Sequence, residues 1–310
     1  MSSLARDFWS TRIVVPEKLH QGLDRVTHSL IGLTHRRSSI LKQMHDQAEQ
    51  IAEHSLTLQH TSDRRLRDRL EEFRQMYRRQ QRGREEILPE AYAIMTEAAY
   101  RTLGLRPYPV QILGAMAMHQ GFLAEMATGE GKTLTACLPA ILAGWSGRPC
   151  HIVTVNDYLA ARDAGEMKPL YTYCGVTTGA VTSEMDPAER RKNYQQDVVY
   201  TTSKEILADF LRDRLKVGLC HQAPRRLLRQ LRQAGAPRHD GLVMRGLDSA
   251  IVDEADSVLI DEAVTPLIIS QAQENQLLLR AVGRAEVISH SFRRSEDYKA
   301  VLKYREVVLT

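Results

Sequence analysis

The sequence is poor in features that would mark a secreted, metal-bound or membrane-spanning protein. It holds only four cysteines in 310 residues. Cys137, Cys150, Cys174 and Cys220 lie far apart with no C-x-x-C pair, which excludes a zinc-finger spacing and a disulfide framework and fits a reducing compartment. The eleven histidines include no H-E-x-x-H and no other metal-ligand spacing, so each reads as a surface residue. Long apolar runs are missing as well. The stretch 134-LTACLPAIL-142 is interrupted by Thr and Pro and falls short of the about 20 residues a helix needs to cross a bilayer. The first residues, MSSLARDFWSTRIVVPEK, contain no continuous apolar core, so no secretory leader is expected. No internal repeat or low-complexity tract is present.

Charge is abundant and nearly balanced, 42 Lys+Arg against 38 Asp+Glu. With 43% hydrophobic residues, this is the composition of a folded, water-exposed protein of about two domains. The small positive excess lies in the first 88 residues, where it reads as a solvated helix surface.

The N-terminal part reads as helical. Residues 38–58 suggest a helix with Ile40, Met44, Gln47 and Ile51 on one side. Residues 63–82 form a clear amphipathic pattern, with Leu66, Leu70, Phe73 and Tyr77 on one face and Gly83 as a stop. A further helix begins near Pro89 and runs to Leu103, with Tyr92, Met95, Ala99 and Leu103 on one face. From residue 121 the pattern changes. Short apolar segments (122-FLAEM, 151-HIVTV, 176-VTTGAV, 197-DVVYTT, 249-SAIVDEAD) alternate with helical stretches beginning near 132, Asp157, Asp186 and Ser203. Such alternation predicts an α/β fold with a mostly parallel sheet flanked by helices, whose ligands bind at the carboxyl ends of the strands. Pro139 should kink or break the helix after 132. Cys137 reads as a small core residue and Trp145 as a packing anchor at that helix's end.

Three motifs fall at the expected strand ends. In 126-MATGEGKT-133, Gly129 and Gly131 permit a backbone that turns successive N–H groups toward phosphate oxygens. The following helix adds the positive end of its dipole. Glu130 lies in the same loop. Lys132 would reach the β- and γ-phosphates, and the Thr133 hydroxyl would ligate Mg2+. The strict G-x-x-x-x-G-K-[ST] pattern fails at Met126, but the helicase-type T-G-x-G-K-T form accommodates it. In 250-AIVDEADS-257, an apolar strand ends in adjacent carboxylates: Asp253 would organise the metal's water shell and Glu254 would polarise the attacking water. A helix-start acid is the plainer reading of Glu254, and Asp256 reads equally as a functional acid or as a cap or ion-pair partner. Finally, the Gln111 amide in 107-PYPVQ-111 can both donate to and accept from an adenine edge, which favours ATP over GTP. Tyr108 packs nearby or in the core.

These residues resemble the SecA family, the motor ATPases of bacterial preprotein translocation. The strings 125-EMATGEGKTLTACLPA-140, 151-HIVTVNDYLAARDA-164 and 252-VDEADSVLIDEAVTPLIIS-270 carry the resemblance, with 89-PEAYAIMTEA-98 and 104-GLRPYPVQILGAM-116. A DEAD-box RNA helicase would share the phosphate loop and D-E-A-D but not V-T-V-N-D-Y-L-A or 258-VLIDEAVTPLIIS-270. The resemblance implies a RecA-like, DEAD-like P-loop domain over 61–270, preceded by a helical extension of unassigned role over 1–60. It implies that 271–310 opens a preprotein-crosslinking domain. It further implies catalytic Lys132, Asp253 and Glu254, nucleotide contacts from Gln111 and Gly129 to Thr133, and Mg2+ held by Thr133 and Asp253. The implied partners are a SecY-type translocon, unfolded preprotein, anionic phospholipid and a second copy of the chain, with no specific nucleic acid. The implied location is cytoplasmic, peripheral on the inner face of the bacterial cell membrane. In the family a second nucleotide-binding domain supplies arginines to the γ-phosphate, so a chain stopping at Thr310 should bind ATP weakly and turn it over slowly. A nucleic-acid helicase and a truncated paralogue that binds nucleotide without turnover are the competing readings. Val264 stands where the family has Arg, and Ala127 where it often has a basic residue. The segment 212–248 is longer than the family's, and its basic stretch 225–233 suggests a helix that lies on anionic lipid or a plain solvated insertion.

Overall fold

The computed structural model describes residues 26–27, 30–31, 40–79, 83, 85–217, 242–262, 276–293, 296–301 and 306–309. The chain divides into two compact units, Met1–Leu267 and Ile268–Thr310.

In the first unit, helix α1 (Ile40–Thr57) buries Met44, Ala48, Ile51 and Ser55. The buried stripe therefore runs through Ala48, and Gln47 is exposed, because a small residue lets the helix approach its neighbours where an amide would need partners. Helix α2 (Asp63–Arg78) buries the expected Leu66, Leu70, Phe73 and Tyr77, and Ser62 caps it by accepting from the Arg65 N–H. It ends at Arg78, several residues before Gly83. Helix α3 (Leu88–Leu103) is buried at every position from Ala91 to Ala99, so it is a central helix with no single apolar face. Helix α4 (Pro109–His119) follows.

Phe122–Met126 forms no strand. A strand needs a neighbour for its N–H and C=O groups, and this segment has none among the described residues; Leu123 is 87% exposed. The chain then enters α5 (Lys132–Trp145), which continues through Pro139 without ending. From Cys137 to Trp145 every residue except Ala143 is buried, and that packing outweighs one lost backbone hydrogen bond. Trp145 closes the helix, with its Nε1–H donating to the Cys174 carbonyl at 2.8 Å and its ring edge-on to Tyr77.

The sheet has the order β2–β3–β1–β4, formed by β1 (Cys150–Thr154), β2 (Thr178–Ala180), β3 (Val198–Thr202) and β4 (Ser249–Val252). All three pairings are parallel, as the alternating pattern predicts. Between the strands run α6 (Asp157–Tyr173), capped by Asn156, α7 (Pro187–Tyr194), capped by Asp186, and α8 (Ser203–Val217). β1 and β3 are buried at all five positions because both faces are covered. Cys150, Ile152, Val198 and Tyr200 join the large core with α1 to α6. Val199 faces the other way, into a smaller core with Val181, Tyr194, Val243 and Met244. Cys137 is fully buried, as expected.

Asp213 near the end of α8 accepts from the N–H groups of Val243 and Met244, at 2.8 to 3.0 Å, and so anchors the chain on its way into β4. The lipid-facing helix expected at 225–233 lies outside the described residues, as does Val264.

His151 departs from the surface reading. It is 1% exposed in β1, beside the Tyr194 ring, and burial first, then the Arg245 charge, push its imidazole from 6.5 down to about 4. The folded protein thus holds it neutral, while the unfolded chain takes up a proton near the ordinary value. Its contribution is complete above about pH 6.5 and is lost as the pH falls toward about 4. We expect up to about 3 kcal/mol of stability to go in that window. His151→Gln should flatten that part of the pH–stability curve measured by urea unfolding.

In the second unit, α9 (Gln276–Ser289) has no buried residues. β5 (Tyr298–Val301) and β6 (Glu306–Leu309) pair antiparallel, with Tyr298 opposite Leu309 and Val301 opposite Glu306.

Candidate functional site: a nucleotide cavity at the phosphate loop

The loop before α5 is closed by its own groups. The Ala127 N–H donates to Glu130 Oε2 at 3.0 Å, and the Glu130 N–H donates to the Ala127 carbonyl at 3.3 Å. Gly129 has φ +88°, with open space where a side chain would stand. Gly131, at φ +77°, is the residue before α5, and a Cβ there would run into Gln111 Nε2. Only glycine satisfies both the angle and the approach. Lys132 and Thr133 are then the first two helical residues, both half-buried.

Gln111 is 8% exposed and its amide is engaged at both ends. Oε1 accepts from the Tyr108 N–H at 2.9 Å, which caps α4, and Nε2 donates to the Glu130 carbonyl at 2.7 Å. In this arrangement the amide joins α4 to the phosphate loop. Tyr108 is 70% exposed and so is not a core residue.

The acidic pair stands at the carboxyl rim of the sheet. The Asp253 N–H donates to the Val153 carbonyl at 2.8 Å and extends the β1–β4 ladder by one bond. Asp253 Oδ1 accepts from the Glu254 N–H at 3.0 Å, leaving Oδ2 for other work. Glu254 takes φ +54°, the only non-glycine residue with positive φ among those described, and its side chain is exposed. Strained backbone of this kind concentrates at functional sites. Asp256 makes no capping bond. The π-helical turn Ser257–Asp261 follows. Glu262 after it accepts from the Ser203 hydroxyl and pairs with Lys204 at 3.2 Å, which together hold its carboxyl below the usual range. Connectivity relates the two halves of the site: α5 packs on β1, β3 and β4 and leads into β1 through the short link 146–149, so it runs back against the strands. Its Lys132 end therefore faces the rim from which Asp253 and Glu254 project.

A cavity of about 750 Å³ opens from Gly129 and Gly131 past Gln111. Its far side is α1, through Glu49, Ala52, Glu53 and Leu56, with Tyr100 and Arg106 between. The volume suits a nucleotide-sized ligand. Arg106 fixes this geometry: it donates to Ser55 Oγ at 3.1 Å and to Glu97 Oε2 at 2.6 Å, and lies 4.5 Å over the Tyr100 ring. Sequence reasoning missed the α1 wall, because nothing local in residues 49–53 shows that they stand beside residue 131. The one close group of potential metal ligands among the described residues, His45, Asp46 and Glu49, is exposed on the surface of α1.

Residues 29–308 match the family described as the SecA DEAD-like domain. The chain belongs to that family. The match reaches further at both ends than the segment 61–270 that the resemblance implies for the P-loop domain. Among relatives, protein translocase subunit SecA 2 of Chlorobium chlorochromatii is 44% identical over 301 residues, 95% of this chain and 44% of its own length. Protein translocase subunit SecA 2 of Magnetococcus marinus is 41% identical over 300 residues, 96% of this chain and 46% of its own. Protein translocase subunit SecA of Crocosphaera subtropica is 42% identical over 263 residues, 82% of this chain and 26% of its own. The chain thus spans less than half the length of these SecA relatives. The parallel sheet flanked by helices is the RecA-like α/β architecture of the SecA DEAD-like domain. No described helix is long and apolar enough to cross a membrane.

Proposed function

We propose that this chain is the ATP-binding motor domain of a protein translocase, in which nucleotide binding and hydrolysis drive unfolded preproteins through a SecY-type channel. The observation that carries the nucleotide reading is the pair of left-handed glycines that ends in the Lys132–Thr133 helix start, facing the rim acids Asp253 and Glu254. The transport reading rests on the relatives, which are named as protein translocase subunits.

The residues have separate tasks. The N–H groups from Gly129 to Thr133 bind phosphate oxygens, and the α5 dipole adds to them. The Lys132 ammonium neutralises the terminal phosphates. A hydroxyl on Thr133 and the uncommitted Oδ2 of Asp253 are hard oxygen donors, which is the set that suits Mg2+. The metal, when bound, offsets phosphate charge. Glu254, exposed and turned out by its left-handed backbone, orients the attacking water and takes its proton. Gln111 serves the site through the loop it holds; to read adenine directly it would have to release the Glu130 carbonyl or the Tyr108 N–H. A translocase built on this domain works at the inner face of the cell membrane, on anionic lipid and beside the channel, as a motor that acts on protein rather than nucleic acid.

Titration of the chain with ATP, with and without Mg2+, tests the reading. Saturable binding that weakens about tenfold or more when the metal is chelated is expected. Absence of binding under both conditions would overturn it.

A further inference from the structure

The polar groups that line the cavity divide sharply into committed and uncommitted ones. Gln111 holds Tyr108 and Glu130. Ser55 donates to the Ala52 carbonyl and accepts from Arg106, and Arg106 is tied to Ser55 and Glu97. On α1, Glu49 stands 3.7 Å from His45. Glu53 lines the same cavity with no hydrogen-bond or ion-pair partner among the described residues. A carboxylate accepts and never donates. It therefore stands, exposed in a cavity that begins at the phosphate loop, as an acceptor that no donor among the described residues engages.

We propose that Glu53 is a specificity-determining residue that reads the sugar, its carboxylate accepting hydrogen bonds from the ribose hydroxyls of the nucleotide. This rests on the nucleotide reading given above. Two features favour the ribose over the base. Every ribonucleotide offers two adjacent O–H donors, which match the two carboxylate oxygens, whereas the exocyclic amine of adenine turns a single N–H to any one acceptor. Acidic residues read ribose hydroxyls in this way in other nucleotide folds. The ribose also lies one linkage from the phosphates, and the cavity runs from the glycines of the loop to the α1 wall without a break. The wall itself is firm. Arg101 donates to the carbonyls of Leu58, Gln59 and Thr61 and pairs with Asp63, and with Arg106 it pins the end of α1 to α3.

The test compares ATP, 2′-deoxy-ATP and 3′-deoxy-ATP by equilibrium titration against the chain, Glu53→Ala and Glu49→Gln. The chain should bind ATP about tenfold more tightly than the deoxy forms, the loss expected when one charge-assisted hydrogen bond goes. Glu53→Ala should bring the three nucleotides within about twofold of one another, with ATP losing most and each deoxy form losing the one bond it keeps, and Glu49→Gln should keep the preference. Equal binding of all three by the unsubstituted chain, or a preference that survives Glu53→Ala, would overturn the assignment while leaving the nucleotide site standing. Failure to bind any of the three would instead strike the nucleotide reading beneath it.

Discussion

Lys132→Ala is expected to lower affinity for ATP by at least about 100-fold while the fold stays intact. Lys132 is the first residue of α5, half-buried directly after the left-handed Gly131, so its side chain leaves the backbone where phosphates would collect. The roughly three to four negative charges gathered at that point need a cation, and the helix dipole, equivalent to about half a unit charge, is too small alone. A charge-assisted hydrogen bond is worth about 1.5–3 kcal/mol, and the long-range attraction to the remaining phosphates adds to it. Alanine is a strong helix former, so the substitution leaves α5 undisturbed. A fluorescence titration with labelled nucleotide, paired with a far-ultraviolet circular dichroism spectrum, measures both halves of the claim. Wild-type affinity in a folded variant would refute the assignment of this loop to phosphates.

Arg190→Leu should destabilise the first unit by about 3–5 kcal/mol. Arg190 is 5% exposed at the junction of α7 with α8. Its guanidinium pairs with Asp209 at 2.9 Å and with Glu205, and donates to the carbonyls of Met185, Thr182 and Ser183. Asp209 is 1% exposed and accepts from Tyr194 and Arg212 as well. Leucine would fill the volume but leave two carboxylates with too little positive charge and three carbonyls short of a donor. Because the cost lies in what is stranded, the paired change Arg190→Leu with Asp209→Asn should recover part of it. Urea unfolding of both variants decides this, and a loss below about 1 kcal/mol for Arg190→Leu would contradict the account.

What the sequence made legible was local. The α2 stripe of Leu66, Leu70, Phe73 and Tyr77 follows from helical spacing alone, and the T-G-E-G-K-T run carries both the glycine angles and the lysine that follows them. The strand–helix alternation from residue 150 onward was enough to predict a parallel sheet, because parallel neighbours need a crossover connection between them. The failures share one cause: the deciding neighbour is distant in the chain. Phe122–Met126 has strand composition but no strand beside it among the described residues. Pro139 has the chemistry of a helix breaker but sits in a helix held by burial. His151 lies on the inner side of β1 because Tyr194 and Arg245 fold over it. Gln111 has a donor and an acceptor suited to a base, yet Tyr108 and Glu130 meet both. Glu53 reads as one more solvated acid until α1 is seen to wall the cavity.

The sheet order has a kinetic corollary. β1 is central, and one of its flanks is filled by β4, whose Ser249 hydroxyl reaches back to the Pro149 carbonyl across 100 residues of chain. During synthesis β1 can join β3 early, but its opposite edge stays bare until the whole intervening stretch has left the ribosome. Since Asp253 and Glu254 ride directly behind β4, the acids arrive at the rim last, and a nascent chain acquires its lysine-bearing loop well before the carboxylates that complete the pair.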